Sequence, residues 1–341
     1  MSDESLPGSL STDAAAPWAA TLIRYRLPKP WKSCWQLANS LLLFCGLWYV
    51  MYLSTFWSYG LTLALAIPTA GMLIRIFIIQ HDCGHHSYFR SHRTNDLVGH
   101  ACGLLTLTPY LLWRRSHSRH HASSGDLTHR GHGDVDVLTV DEYRRRSPLG
   151  RLRYRLYRNP LIMFGLGASY LFLLQQRFTF GIPRHWRRER RSVHLTNLGI
   201  GVSIAIGWYA IGLPAFLMVH LPVVVIGAMV GSWLFFVQHQ FEEAYWQPHP
   251  NWDFARAALE GSSYYRLPRV LQWFTGNIGF HHIHHLDSHI PNYNLNACYD
   301  AEPALQEAVT FGIRESFQCT ALKLWDERRQ RMVTFDEAAT N

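Results

Sequence analysis

Four long apolar runs limit what this chain can become: about Trp35 to Phe56, Leu61 to Gln80, Leu195 to Ile211 and Pro214 to Val237. Arg75 is the one charged residue among them. At about 1.5 Å per helical residue, some 20 such residues match a hydrocarbon layer roughly 30 Å thick. A backbone crossing that layer must satisfy its own hydrogen bonds, which predicts helices. The runs fall into two pairs, joined around Ser58-Tyr59-Gly60 and Gly212-Leu213-Pro214. Links this short allow only tight hairpins. The expected fold is an all-α membrane protein of four transmembrane helices in two hairpins, with a helical cap. Trp31, Trp35, Trp48 and Trp57 suit the interfacial belts, and Arg75 is expected to snorkel towards the head groups.

Charge distribution orients these helices. The 32 Lys and Arg exceed the 24 Asp and Glu, for a net charge of +8. They populate the N-terminal segment, the long middle segment from His81 to about Arg191 and the C-terminal region, while the hairpin links carry none. The positive-inside rule then places both termini and the middle segment in the cytoplasm. Inside the middle segment, Leu97 to Trp113 and Pro160 to Gln176 read as interfacial or half-buried helices. Residues 1–30 form an expected N-terminal tail, its first 20 mobile, 31–300 the membrane domain with its cap, and 301–341 a C-terminal segment. The N-terminus lacks the basic start and apolar core of a secretory signal. The 6 Cys show no CxxC pairing and are expected to be reduced thiols. No nucleic-acid-binding signature accompanies the basic charge, so lipid head groups or an acidic redox protein are the expected partners, to be met by basic clusters at Arg144 to Arg158 and Arg184 to Arg191.

The polar segments carry histidine at repeated spacings. His281, His284 and His285 read HxxHH, His117, His120 and His121 repeat that spacing, and His81 and His85 read HxxxH. Residues three and four apart share a helix face, so these imidazoles can converge. Convergent neutral imidazoles commonly hold transition metals. All three boxes fall on the face that the charge rule places in the cytoplasm, where the last span ends at His239, a ninth candidate. Nine imidazoles exceed what one metal takes, so a pair of metal ions is expected. Imidazole suits iron, copper, zinc and nickel alike, so ligand type does not choose among them, and iron is the expected metal. Asp82, Glu242 and Asp287 are candidates to orient ligand imidazoles. His86, His282 and His289 read as supporting or spare, and His220 belongs to the opposite end of the fourth span.

Those segments, HDCGHHSYF, HSRHHASSGDLTHRGHGD, RLYRNPLIMFGLG, EGSSYYRLPRVLQWFTGNIGFHHIHHL and IPNYNL, resemble the membrane-bound fatty acid desaturases of the bacterial delta-12 and delta-5 acyl-lipid type. The resemblance covers about Ile74 to Asn296. It implies a cytoplasmic cap on a bacterial inner-membrane protein and a non-haem di-iron centre held by the boxes plus His239. It also implies an acyl chain, lipid- or thioester-linked, threaded through a narrow tunnel. An unactivated methylene offers no acidic proton, so O2 is the implied co-substrate and two electrons are needed per double bond. No HPGG haem-domain motif is present, so a separate carrier such as a ferredoxin is implied. Two departures stand out: Phe235 occupies a position where some relatives have Asn, and His86 offers the longer HxxxxH spacing as an alternative to His85.

The same site could hydroxylate, form acetylenic or conjugated bonds, or oxidise carotenoids. A histidine-rich metal transporter is a remote alternative, since transporter sites lie near the bilayer midplane. A metalloprotease lacks its HExxH.

Overall fold

The computed structural model describes residues 17–131 and 135–340. Among the described residues four helices are long and apolar enough to cross a membrane: Pro30–Ser54, Tyr59–Gly84, Arg187–Ile211 and Leu213–His239. Each outruns its apolar core, because polar residues at the ends continue the helical hydrogen bonding. The second carries His81 on its last turn and the fourth ends on His239 itself. Both therefore deliver imidazoles to the same end of the bundle.

Local chemistry sets the boundaries. Pro30 opens the first helix at a position where the missing N–H costs nothing. The Ser58 side chain accepts from Leu61 N and caps the second. Gly212 makes the other hairpin turn at φ 83°, a left-handed conformation that favours glycine. The second helix packs against the first and the fourth, and buries Met51, Ala70, Leu73, Ile76, Val223 and Val224 between them. The third stays peripheral, with Leu198, Ile206 and Tyr209 outward, Tyr209 being 96% exposed. An apolar surface of this extent belongs in lipid.

Leu97 to Trp113 is not one helix. It breaks at Thr106–Pro109 into His92–Leu105 and Tyr110–Ser123, the latter carrying the second box. A Cβ at Gly99 would lie 2.3 Å from the Tyr110 ring, so glycine lets the two halves fold against each other. Pro160 to Gln176 becomes a π-helical turn, Leu161–Gly167, and the helix Ala168–Leu173, with Leu161, Leu166 and Tyr170 exposed as an interfacial segment requires.

Three expectations are corrected. Arg75 does not snorkel: it is 7% exposed, donates to the Trp273 carbonyl and lies 4.2 Å over the Trp273 ring. The carbonyl and the aromatic face replace water around the cation. The tail folds from Pro17 onward into the helix Pro17–Tyr25, where Trp18, Leu22 and Tyr25 pack against Phe280, Ile283 and Leu286 beside the third box; residues 1–16 lie outside the described residues. Arg158 belongs to no surface cluster, being fully buried and donating to Gln240 Oε1 and the Leu322 carbonyl.

The cap is helical but for five short strands among the described residues. Leu138–Thr139 pairs parallel with Leu324–Asp326, which pairs antiparallel with Arg331–Val333, and Tyr264–Tyr265 pairs parallel with Thr310–Phe311. The C-terminal segment thus closes over the middle segment and buries Trp325.

Candidate metal centre

Helical periodicity distributes the histidines. In each box two imidazoles stand four residues apart on one face: His81 with His85, His117 with His121, and His281 with His285. His120 and His284, the middle members of their boxes, point to the other side. Three boxes and the fourth span converge so that His81, His85, His117, His121 and His284 form one group, and His120, His239, His281 and His285 a second. Within each group the candidate ligand atoms lie within 4.8 Å of one another. All nine sequence candidates are brought together, and each HxxHH box is split between the two groups.

The third box needs its preceding turn. Gly276 and Asn277 both take positive φ, 55° and 60°, reversing the chain after the helix Arg269–Phe274. A Cβ at Gly279 would sit 2.4 Å from the Tyr265 carbonyl, so only glycine admits the approach that starts the helix His281–Leu286.

The donors suit metal ions. In the second group Nε2 of His120 is 3.1 Å from that of His239 and 3.2 Å from that of His285, and His281 Nε2 is 2.9 Å from His239 Nε2. In the first, His121 Nε2 is 3.1 Å from His117 Nε2 and 3.0 Å from His284 Nε2. Cis imidazole nitrogens on one ion, with bonds of about 2.1 Å, stand about 3 Å apart. His81 Nε2 and His85 Nε2 are buried with no hydrogen-bond partner among the described residues. Burial first, and then neighbouring imidazoles, hold His85, His117, His121, His281, His284 and His285 well below the usual histidine range. Neutral rings keep the lone pairs that coordination uses.

Tautomers are fixed from behind. Asp82 Oδ1 accepts from His81 Nδ1 at 3.1 Å, leaving Nε2 to face the first group. The Gly261 carbonyl accepts from His239 Nδ1 at 3.2 Å and does the same for the second. Asp82 is itself held by Asn292, whose backbone N and Nδ2 both donate to Oδ2 at 2.7 Å, and Gln36 Nε2 donates to Asn292 Oδ1 at 2.9 Å. Spacing gave no sign of Asn292, which acts from outside the boxes.

Other candidates fall away. Glu242 pairs with Arg331 on the surface, and Asp287 takes Arg26 and His289, so neither orients a grouped imidazole. His86 turns to Asp96 through Nε2 at 3.1 Å, with a left-handed backbone, and joins neither group; His85 does. His282 Nε2 donates to the Leu305 carbonyl at 2.9 Å, and His220 stacks on Phe216. Phe235 fills its position with a ring 5.0 Å from that of His120 and 5.3 Å from that of His239.

A cavity of about 810 Å³ adjoins both groups, touching His81 and His117 of the first and His120 and His281 of the second. Apolar residues of the second and fourth spans line it, among them Leu73, Phe77, Val224, Ala228 and Leu234. Its size is within the roughly 300–1,000 Å³ of ligand sites. Two groups of convergent imidazoles able to hold metal ions, set against an apolar cavity between membrane helices, fit a membrane-bound oxidoreductase that acts on apolar chains.

The comparisons give that class its family. The model of the fatty acid desaturase family matches residues 54–315, and the chain belongs to that family. A fatty acid desaturase of Bacillus subtilis is 47% identical over 90% of this chain and 87% of its own length. The sn-1 oleoyl-lipid 12-desaturase of Synechocystis is 25% identical over 74% of this chain and 68% of its own. The Delta(12)-fatty-acid desaturase of Arabidopsis thaliana is 26% identical over 70% of this chain and 66% of its own.

Proposed function

We propose that this protein introduces a cis double bond at the delta-12 position of an oleoyl chain carried by a membrane lipid. The observation that carries the reading is the gathering of nine imidazoles into two groups beside an apolar cavity. The oleoyl-lipid relative supports the position and the carrier. The two groups would hold two iron ions, with His81, His85, His117, His121 and His284 on one and His120, His239, His281 and His285 on the other. Those ions would supply, with O2 and two external electrons, the oxidising power that an unactivated methylene pair requires.

The remaining work falls to the chain. Leu73, Phe77, Val224 and Ala228 hold the acyl tail by apolar contact, and small residues of the fourth span leave it room. Phe235 and Trp113 keep water from the cavity end nearest the histidines. Asp82 and the Gly261 carbonyl keep His81 and His239 in their coordinating tautomers. The cap faces the cytoplasm of a bacterial inner membrane, where a ferredoxin-like acidic carrier delivers electrons; the basic surface of the cap supports this. Residues 31–300 serve as the membrane domain and 301–341 as the segment that closes it.

Expression in a host without desaturases, followed by mass spectrometry of dimethyl-disulfide adducts, tests the assignment. A cis double bond at carbon 12 is expected. Hydroxylated acyl chains as the main product would overturn the reaction, and a bond at another carbon the position.

A further inference from the structure

Away from the nine histidines, a third group of metal-ligating side chains stands at the surface of the cap. Asp126, His129 and His249 each present a ligand atom within 4.8 Å of the others. The Asp126 side chain is 3% exposed, while His129 and His249 are half exposed. Both rings converge on one oxygen: Asp126 Oδ2 accepts from His129 Nδ1 at 2.8 Å and from His249 Nδ1 at 2.7 Å. The other oxygen, Oδ1, accepts from the backbone N of Thr128 at 2.8 Å and of His129 at 3.2 Å. The carboxylate is therefore fixed by the loop, and the two rings approach it edge to face, with centroids 4.6 Å apart.

The two loops are already registered against each other. Leu127 N donates to the Gln247 carbonyl and Gln247 N to the Gly125 carbonyl, both at 2.9 Å. His249 N donates to Thr128 Oγ1 at 3.1 Å, and Trp252 Nε1 to the Ser124 carbonyl at 2.9 Å. One loop follows directly from the helix that carries His117, His120 and His121, and the other leaves the helix that ends on His239. A bond across these loops would tie together two of the elements that supply both histidine groups.

We propose that Asp126, His129 and His249 form a third metal site, for a divalent transition ion such as zinc, which clasps these two loops. Two imidazoles and a carboxylate, with no thiolate, suit zinc, nickel or manganese rather than a soft monovalent ion. Bonds of about 2.0–2.2 Å set donor atoms on one ion about 2.9–3.5 Å apart. The rings therefore need to retreat from Asp126 by only a few tenths of an ångström, and half-exposed loop side chains can do so. Each ring frees its Nδ1 lone pair by carrying its proton on Nε2 instead, so no proton need leave the site. Three protein ligands leave further coordination positions to water, so the site is open and exchangeable.

Zinc titration of the full chain tests this. The protein is purified in detergent from iron-supplemented cells, washed with chelator and titrated with zinc. One zinc per chain beyond the iron is expected, with a melting temperature raised by about 2 °C or more at saturation. His249→Ala and His129→Ala should each weaken that zinc at least about tenfold and abolish the thermal shift, with iron content and basal turnover unchanged. Absence of the additional zinc, or its retention with wild-type affinity in both variants, overturns the proposal. Iron content is read in the same samples, so a failure of the proposed iron centre shows separately, in the wild type before any zinc is added.

Discussion

The ring of His121 lies face to face with that of His285, centroids 4.1 Å apart and planes within 15°. His121 belongs to the first histidine group and His285 to the second, so the two groups share a wall of stacked imidazoles. Disturbing either ring disturbs both groups, and this contact governs what substitutions should do.

His81→Ala removes a donor from the first group only, and His281→Ala one from the second. Each should lower iron from two per chain towards one and cut turnover more than about 100-fold, beyond the usual effect of losing a supporting partner. His121→Ala should lose more than one equivalent, because His285 then lacks its stacked neighbour. Metal analysis of purified variants checks all three; two irons retained in any of them would contradict the assignment.

Asp82→Asn keeps the shape of the side chain but removes the charge that orients His81 and takes both N–H groups of Asn292. Iron affinity should fall about 10–100-fold, with turnover recovering as iron is added back. Iron titration followed by activity measures this. A variant indistinguishable from wild type across the titration would remove Asp82 from the metal's support.

Gly231 lines the cavity on the fourth span, and a Cβ there would meet nothing within 4 Å among the described residues. Gly231→Ala should fold normally and retain turnover. Gly231→Phe fills space that the acyl chain needs, and should reduce turnover of an 18-carbon chain at least about tenfold while both irons remain bound. Product analysis with chains of several lengths distinguishes this from misfolding, because shorter chains should suffer less.

Lys323 is buried where the C-terminal segment meets the cap, its Nζ donating to the Arg158 carbonyl at 2.6 Å. Burial, then the charge of Arg158, lowers its pKa from 10.5 to about 8. Between those values the unfolded chain binds a proton that the folded chain has released, so stability rises with pH. Below about 8 both states are protonated and the slope vanishes. Thermal unfolding of wild type and Lys323→Met from pH 7 to 10 should show wild type gaining on the variant only above about pH 8. A difference independent of pH would contradict it.

Much of this architecture is written in local sequence. Apolar runs of bilayer length yield four helices because an isolated backbone in hydrocarbon has no alternative. Helical period alone assigns His81 with His85, His117 with His121 and His281 with His285, since four residues return to the same face. Even the side of the bundle is legible, because the second and fourth spans run directly into His81 and His239.

What spacing could not supply depends on contacts between distant segments. That His284 joins the first group while its neighbour His285 joins the second is decided by how the short helix His281–Leu286 docks between the spans and the second box. The choice of His85 over His86 rests on a left-handed backbone at His86 and an Asp96 partner ten residues away. Arg75 stays inside because the Trp273 ring and carbonyl, nearly 200 residues later, offer a better environment than the head groups. Asn292 reaches Asp82 across 210 residues, and His249 reaches Asp126 across 123. Period and hydropathy are properties of a few turns of chain, whereas ligand partition and buried polar pairing are properties of the packed whole.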